Sequence, residues 1–225
     1  MDVKKIVALV PMRHHSQRVP GKNFRPLAGK PLYQHIISTL LSVPRINQVV
    51  VDTDSNTIIS GLKDLYPEVT ILERPEYLRA DTIPMNDILL YDTSKVAADI
   101  YLQTHSTNPL LKAETIESAL DAYLEVYPGR DSLFSVTRLQ TRLWDQDGKP
   151  INHDPSVLLQ TQDLPPVFEE NSCIYIFTRD ILEKRHNRLG GNPLMFEMDA
   201  EEAWDIDDEL DFSITEFLMK NKDMS

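Results

Sequence analysis

The sequence predicts an α/β fold built on a mostly parallel sheet, and three observations carry that reading. Short apolar runs alternate with stretches of helical period, the first run opens into a loop crowded with cations, and a length of 225 residues suits one domain of this class, taken here as 1–225. Crossovers between parallel strands are right-handed, so ligands are expected at the carboxyl ends of the strands, where the basic loop lies.

Each element has its own warrant. Residues 6–10, Ile-Val-Ala-Leu-Val, read as a buried strand. Leu32, Ile36, Ile37, Leu40 and Leu41 recur at helical spacing and predict a helix over 31–43, with Pro31 suited to its first turn. Strands follow at 49–51 and 69–72, with a helix at 58–65 between them, giving βαβαβ. A polar loop from Glu73 leads into a helix at 84–96; Asp81 is placed to cap it, with Arg74 as an exposed partner. A strand at 100–102, a helix at 112–127 and a strand at 132–137 come next. Patterning then loosens over 138–168, a length that ordinarily forms a hairpin, lid or partner surface and not a free loop. Residues 173–177 return to strand, 179–185 to helix and 195–198 to a short extended piece. A last helix over 209–219 is expected to bury Leu210, Ile214, Phe217 and Leu218.

Composition narrows the partners. The formal net charge of −12 argues against nucleic acid and anionic membranes, which are held by Lys and Arg. No apolar run approaches the roughly 18 residues of a membrane span, and no signal-peptide pattern precedes the first charged loop. The single Cys173 lies in an apolar run and reads as a small core hydrophobe, which with the absence of a leader suggests a reducing, cytoplasmic setting.

The loop after the first strand is built for an anion. Arg13, Arg18, Lys22 and Arg25 fall within about a dozen residues, while Ser16 and Gly21 let backbone N–H groups approach a phosphate. It matches neither GxxxxGKS nor GxGxxG. The run Pro11-x-Arg13-x-x-Ser16-x-Arg18-x-Pro20-Gly21-Lys22-Asn23-x-Arg25-Pro-Leu-Ala-Gly-Lys-Pro-Leu32 resembles the start of the sugar-activating cytidylyltransferases, the acylneuraminate (CMP-sialic acid synthetase-like) group and, more distantly, the CMP-Kdo synthetases. Four further motifs keep the family's order: Arg74-Pro75 before Asp81-Thr82, Leu102-Gln103 with Asn108-Pro109-Leu110, Asn171 four residues ahead of Tyr175, and Asp205-Ile206-Asp207.

That resemblance implies a Rossmann-like, three-layer, GT-A-like nucleotidyltransferase fold with a dimerisation extension at about 139–168, and hence a homodimer. It implies CTP and a sugar acid as substrates, with CMP-sugar and pyrophosphate as products. Arg13, Ser16, Arg18, Lys22 and Asn23 would hold the triphosphate; Arg74 and the backbone at Ile83 and Met85 would contact cytosine. Gln103, Asn171, Tyr175 and Phe196 would line the sugar pocket, with His105 the alternative to Gln103 when the loop is aligned from its proline. Asp205 and Asp207, alternate residues of an extended segment, would share a Mg²⁺ ion, whereas Asp208 suits a helix N-cap. The histidines carry no zinc pattern, and Ser16 no nucleophile elbow.

Three departures stand out: Gln17 where the family has Lys, Leu111 where it has Arg, and neutral or acidic Thr161 and Glu169-Glu170 where sialate-activating members carry arginines. The last suggests a nonulosonate-like acceptor decorated differently from N-acetylneuraminate, or a sugar neutral or partly cationic at that end, the alternative being a carboxylate held by Arg138, Arg142 or a partner subunit. A nucleotidyltransferase for another sugar or base, or a catalytically silent binding module, are the alternatives.

Overall fold

The computed structural model describes residues 4–221. Strand β1 (Ile6–Met12) is wholly buried, as a continuous apolar run between two helical layers must be. A small hairpin of β2 (Pro26–Leu27) and β3 (Lys30–Pro31), absent from the sequence reading, turns the chain into helix α1 (Leu32–Leu41). That helix buries Leu32, Tyr33, Ile36, Ile37 and Leu40. At about 1.5–3 kcal/mol for each large apolar side chain, packing outweighs the marginal intrinsic stability of a ten-residue helix.

The following elements are β4 (Gln48–Thr53), α2 (Asn56–Leu65), β5 (Thr70–Glu73), α3 (Met85–Lys95), β6 (Ile100–Gln103), α4 (Ala113–Val126) and β7 (Ser132–Leu139). Then come β8 (Val167–Phe177), α5 (Arg179–Arg185), β9 (Pro193–Glu197) and α6 (Glu209–Lys220). Seven strands form one sheet in the order β5-β4-β1-β6-β8-β7-β9. All neighbours are parallel except β8, which runs against both β6 and β7. Successive connections run outward from β1 to β5, then cross back to β6 on its other side, so the switch point lies between the carboxyl ends of β1 and β6.

Side-chain alternation divides the core between the two faces of the sheet. Ala8, Val10, Ile174 and Ile176 pack with α1 and α4 on one face; Val7, Leu9, Tyr175 and Phe177 pack with Leu89 of α3 and Leu182 of α5 on the other. Three expectations change here. Strand β8 begins at Val167, six residues before the predicted start, because its first half carries Phe168, Glu169 and Glu170 on an exposed stretch that lacks an apolar signature. Helix α6 buries Phe212 and Thr215 and packs Met219, whereas Leu210 and Phe217 are each 66% exposed. The Arg25 guanidinium stands 4.2 Å from the Phe212 ring and Phe212 meets Ile206, which rotates the helix away from the expected face. Finally, Asp81 does not cap α3, whose N-cap is Pro84, and Arg74 is only 3% exposed.

Candidate active site

The carboxyl end of β1 opens into a cavity of about 500 Å³. Its lining includes Arg13, Ser16, Arg18, Lys22 and Asn23 from the basic loop, Arg74, Ile83 and Met85 from the segment before and at the start of α3, and His105 after β6. Nine of the residues singled out in the sequence therefore meet around one space at the switch point.

The loop is shaped by its own hydrogen bonds. Gly21 adopts φ +66 at the head of a 3₁₀ turn over Lys22–Phe24, and a Cβ there would stand 2.7 Å from the Phe24 ring, so glycine is required twice over. Asn23 donates to Arg13 O at 2.8 Å and accepts from Ser106 Oγ at 2.6 Å, tying the basic loop to the β6 loop. His14 N donates to Asp54 Oδ1 at 2.7 Å, and His14 Nδ1 lies 2.8 Å from Ser55 Oγ.

The cations rest on carboxylates and a carbonyl. Arg13 Nη1 donates to Asp81 Oδ1, and Gln17 Nε2 donates to Asp81 Oδ2 at 2.8 Å. Arg18 Nη2 donates to Asp207 Oδ1 at 2.6 Å. Lys22 Nζ donates to Ile206 O; burial lowers its pKa, with Asp205 and Asp207 acting in the opposite sense. These exposed or half-exposed pairs stabilise the fold by at most about 1 kcal/mol each, little enough for a polyphosphate to displace them.

Behind the cavity lies a buried polar cluster that sequence reasoning missed. Arg74 Nε donates to Asp52 Oδ1, and Asp52, at the end of β4, is fully buried. Asp52 Oδ2 and both oxygens of Asp92 on α3 find no other donor. Desolvation raises both carboxyls, and the neighbouring Asp52 charge helps to push Asp92 up to about 9, so one proton is shared between them at neutral pH. This arrangement holds Arg74 at the cavity wall with a single compensating negative charge. Asp52-Thr-Asp54 at a strand end was the only sequence signal for it.

Gln103 is fully buried at the end of β6, and its Nε2 lies 3.1 Å from His105 Nε2 and 3.1 Å from Thr104 O. Its Oε1 accepts from Arg188 Nη1. An amide nitrogen can only donate, so His105 Nε2 accepts and the neutral ring carries its proton on Nδ1. Burial, followed by Arg188 and Lys22, pushes the His105 pKa down to about 4. The Tyr175 hydroxyl donates to Glu170, and its ring lies beneath the Arg188 guanidinium. Arg188 was missed because it belongs to a loop after a short helix, without periodicity or motif.

Two expected pocket residues lie elsewhere. Asn171 accepts from Ser135 Oγ at 2.5 Å and Cys173 N at 3.1 Å and donates to Thr137 Oγ1 at 2.9 Å, so its amide serves the irregular pairing of β7 with β8. Phe196 packs on the sheet face opposite Tyr175. Cys173 is buried and free, its thiol pushed up by desolvation.

Asp205 and Asp207 stand at the edge of this site on the segment entering α6. Asp205 keeps an exposed side, yet the surrounding protein raises its pKa through desolvation and the Asp207 charge adds to it. Two nearby carboxylates with unfavourable mutual charge are a donor set that suits a hard divalent cation. Asp208 instead caps α6, accepting from Leu210 N at 2.8 Å and Asp211 N at 3.0 Å in a capping box. Among the described residues no cluster of three or more His, Cys, Asp or Glu is arranged to hold a metal.

A basic cavity at the switch point of a three-layer α/β sheet, with a carboxylate pair at its edge, defines a nucleotidyltransferase. More particularly, the chain belongs to the cytidylyltransferase family and is a CTP-dependent enzyme: the family model described as Cytidylyltransferase matches residues 7–223. CMP-N,N'-diacetyllegionaminic acid synthase of Legionella pneumophila is 31% identical, over 96% of this chain and 97% of that protein. Post-translational flagellin modification protein B of Campylobacter coli is 28% identical, over 99% and 98% respectively. The structure of CMP:2-keto-3-deoxy-manno-octonic acid synthetase complexed with CTP shares the fold, with a TM-score of 0.74 at 21% identity over 97% of this chain and 99% of that one.

Proposed function

We propose that the protein transfers the cytidylyl group of CTP to a nonulosonate-like sugar acid. The observation that carries this reading is the convergence of Arg13, Arg18 and Lys22 on the cavity edge beside Asp205 and Asp207. A sugar hydroxyl attacks the α-phosphorus in line, a P–O bond forms as the bond to pyrophosphate breaks, and the hydroxyl proton passes to solvent. Catalysis is then mostly positioning and charge neutralisation, without a covalent protein intermediate. Arg13 and Lys22 exchange Asp81 and Ile206 O for phosphate oxygens, and Ser16 with Asn23 holds the loop in shape. Arg74, fixed by Asp52, and the backbone at Ile83 and Met85, which line the same cavity, would contact the pyrimidine.

Asp205 and Asp207 would hold Mg²⁺, which supplies charge neutralisation to the triphosphate. His105 is no general base here, since its Nε2 is already occupied and its pKa is about 4. The protein also works as a homodimer in this reading. Support comes from the segment between β7 and β8, which exposes Trp144 at 50%, Ile151 at 58%, Val157 at 52% and Leu158 at 92%.

The test is pyrophosphate release from CTP with N,N'-diacetyllegionaminate, N-acetylneuraminate and neutral sugars, for wild type and Asp207→Asn. Turnover of a sugar acid by wild type, with a loss of about 100-fold or more in a folded Asp207→Asn protein, is expected. Nucleotide binding without turnover of any acceptor would make the protein a silent module instead.

A further inference from the structure

We infer that Arg188 is the specificity residue that takes the carboxylate of the acceptor sugar. The inference rests on the cytidylyltransferase reading above and deepens it.

The guanidinium carbon of Arg188 stands 3.4 Å from the centroid of the Tyr175 ring, and Nη1 donates to Gln103 Oε1. These contacts fix its plane, and both are with neutral groups. Glu170, an acid that acts on it, receives the Tyr175 hydroxyl and does not form an ion pair with the arginine. Burial lowers the Arg188 pKa while the Tyr175 hydroxyl and the Glu170 charge act in the opposite sense, so the charged form is held in a desolvated place with no carboxylate among the described residues ion-paired to it. Buried charges ordinarily have partners; a guanidinium stacked and oriented in advance is suited to receive two carboxylate oxygens from a ligand.

Its position is that of the acceptor. Arg188 reaches the cavity wall through Gln103, whose amide nitrogen lies 3.1 Å from Nε2 of the lining residue His105, and Lys22 lines the same cavity. Lys22 belongs to the phosphate loop, and an attacking sugar must lie beyond the α-phosphorus on the opposite side.

The experiment compares wild type with Arg188→Gln, which preserves planar bulk and a donor for Gln103 while removing the charge. Each is assayed with CTP against N,N'-diacetyllegionaminate and against its carboxamide. The expected result is a KM for the acid raised about 30-fold or more, a KM for CTP within about twofold of wild type, and no added penalty for the carboxamide. Equal losses on acid and carboxamide, or an unchanged KM for the acid, would overturn the assignment and leave a packing role against Tyr175. If circular dichroism shows that Arg188→Gln is unfolded, Arg188→Lys carries the test: it must keep preference for the acid, and loss of that preference counts against the assignment. Failure of wild type to use any sugar acid would overturn the cytidylyl-transfer reading together with this one, whereas activity without selectivity at Arg188 overturns this one alone.

Discussion

Arg13 and Asp92 show how far single side chains determine this site. Arg13 is exposed and exchanges one oxygen partner for another when a triphosphate binds, so Arg13→Ala should leave stability nearly unchanged. A charge-assisted hydrogen bond contributes about 1.5–3 kcal/mol, and kcat/KM for CTP should therefore fall roughly 10- to 150-fold. Steady-state kinetics at varied CTP checks this, and an unchanged kcat/KM would remove Arg13 from the phosphate site. Asp92 behaves oppositely. Its pKa is raised to about 9 in the folded protein, so from about pH 4, where the unfolded chain releases the proton, up to about pH 9, the folded state binds one proton more. Stability is thus fully present below about pH 4 and declines as pH rises through this window. Asp92→Asn has no such proton to lose and can donate an N–H to Asp52. Its Tm between pH 5 and 9 should fall less steeply than that of wild type, and parallel Tm curves would exclude a shared proton.

Elements differ in how plainly the sequence announces them. The buried strands β1, β4 and β6 are unbroken apolar runs, and α1 repeats its apolar residues at helical spacing, so each was found within a few residues. Helix α5 has the bounds read for it, and in the fold Thr178 caps it and Leu182 is buried beneath it. What could not be read is what tertiary contact decides. The outer half of β8 is polar, the hairpin of β2 and β3 has two residues a strand, and the face of α6 is chosen by Arg25 and Ile206, which lie far away in sequence. In the site, the basic loop and aspartate pair were legible as motifs, whereas Arg188, Asp52 and Asp92 converge only through the fold. The segment between β7 and β8 yields a test at this scale. If its exposed apolar residues form a subunit contact, Leu158→Asp should shift the protein toward monomer by at least tenfold in dissociation constant, measured by sedimentation. A monomeric wild type at micromolar concentration would contradict the dimer.

For the whole molecule, binding energy at one end of the sheet becomes stability of the entire chain. A ligand that binds only the folded state adds about 2.7 kcal/mol at 100 times its Kd, and for a protein of this length each kcal/mol raises Tm by roughly 2–4 °C. Saturating CTP with Mg²⁺ should therefore raise Tm by about 5–10 °C, and UTP, GTP and ATP by clearly less. Equal shifts with all four would show that the cavity reads phosphates alone. The overall acidity matters too: anions approach a protein of net charge −12, so the local field of the basic loop must overcome a repulsive background.

The one antiparallel strand has a consequence for control. Because β8 pairs Tyr175 with Gln103 while running against β6, its beginning lies beyond the end of β6, at the edge proposed above to take the sugar acid. The segment that precedes β8 is therefore anchored at the acceptor's side of the sheet and not at the remote edge. Whatever grips that segment also bears on the orientation of Tyr175 and of the guanidinium above it. Linkage is reciprocal: if restraint of the segment sharpens the acceptor pocket by some factor, a bound acceptor tightens the grip on the segment by the same factor. Quaternary association and choice of sugar would then share one free-energy coupling, carried by a single reversed strand.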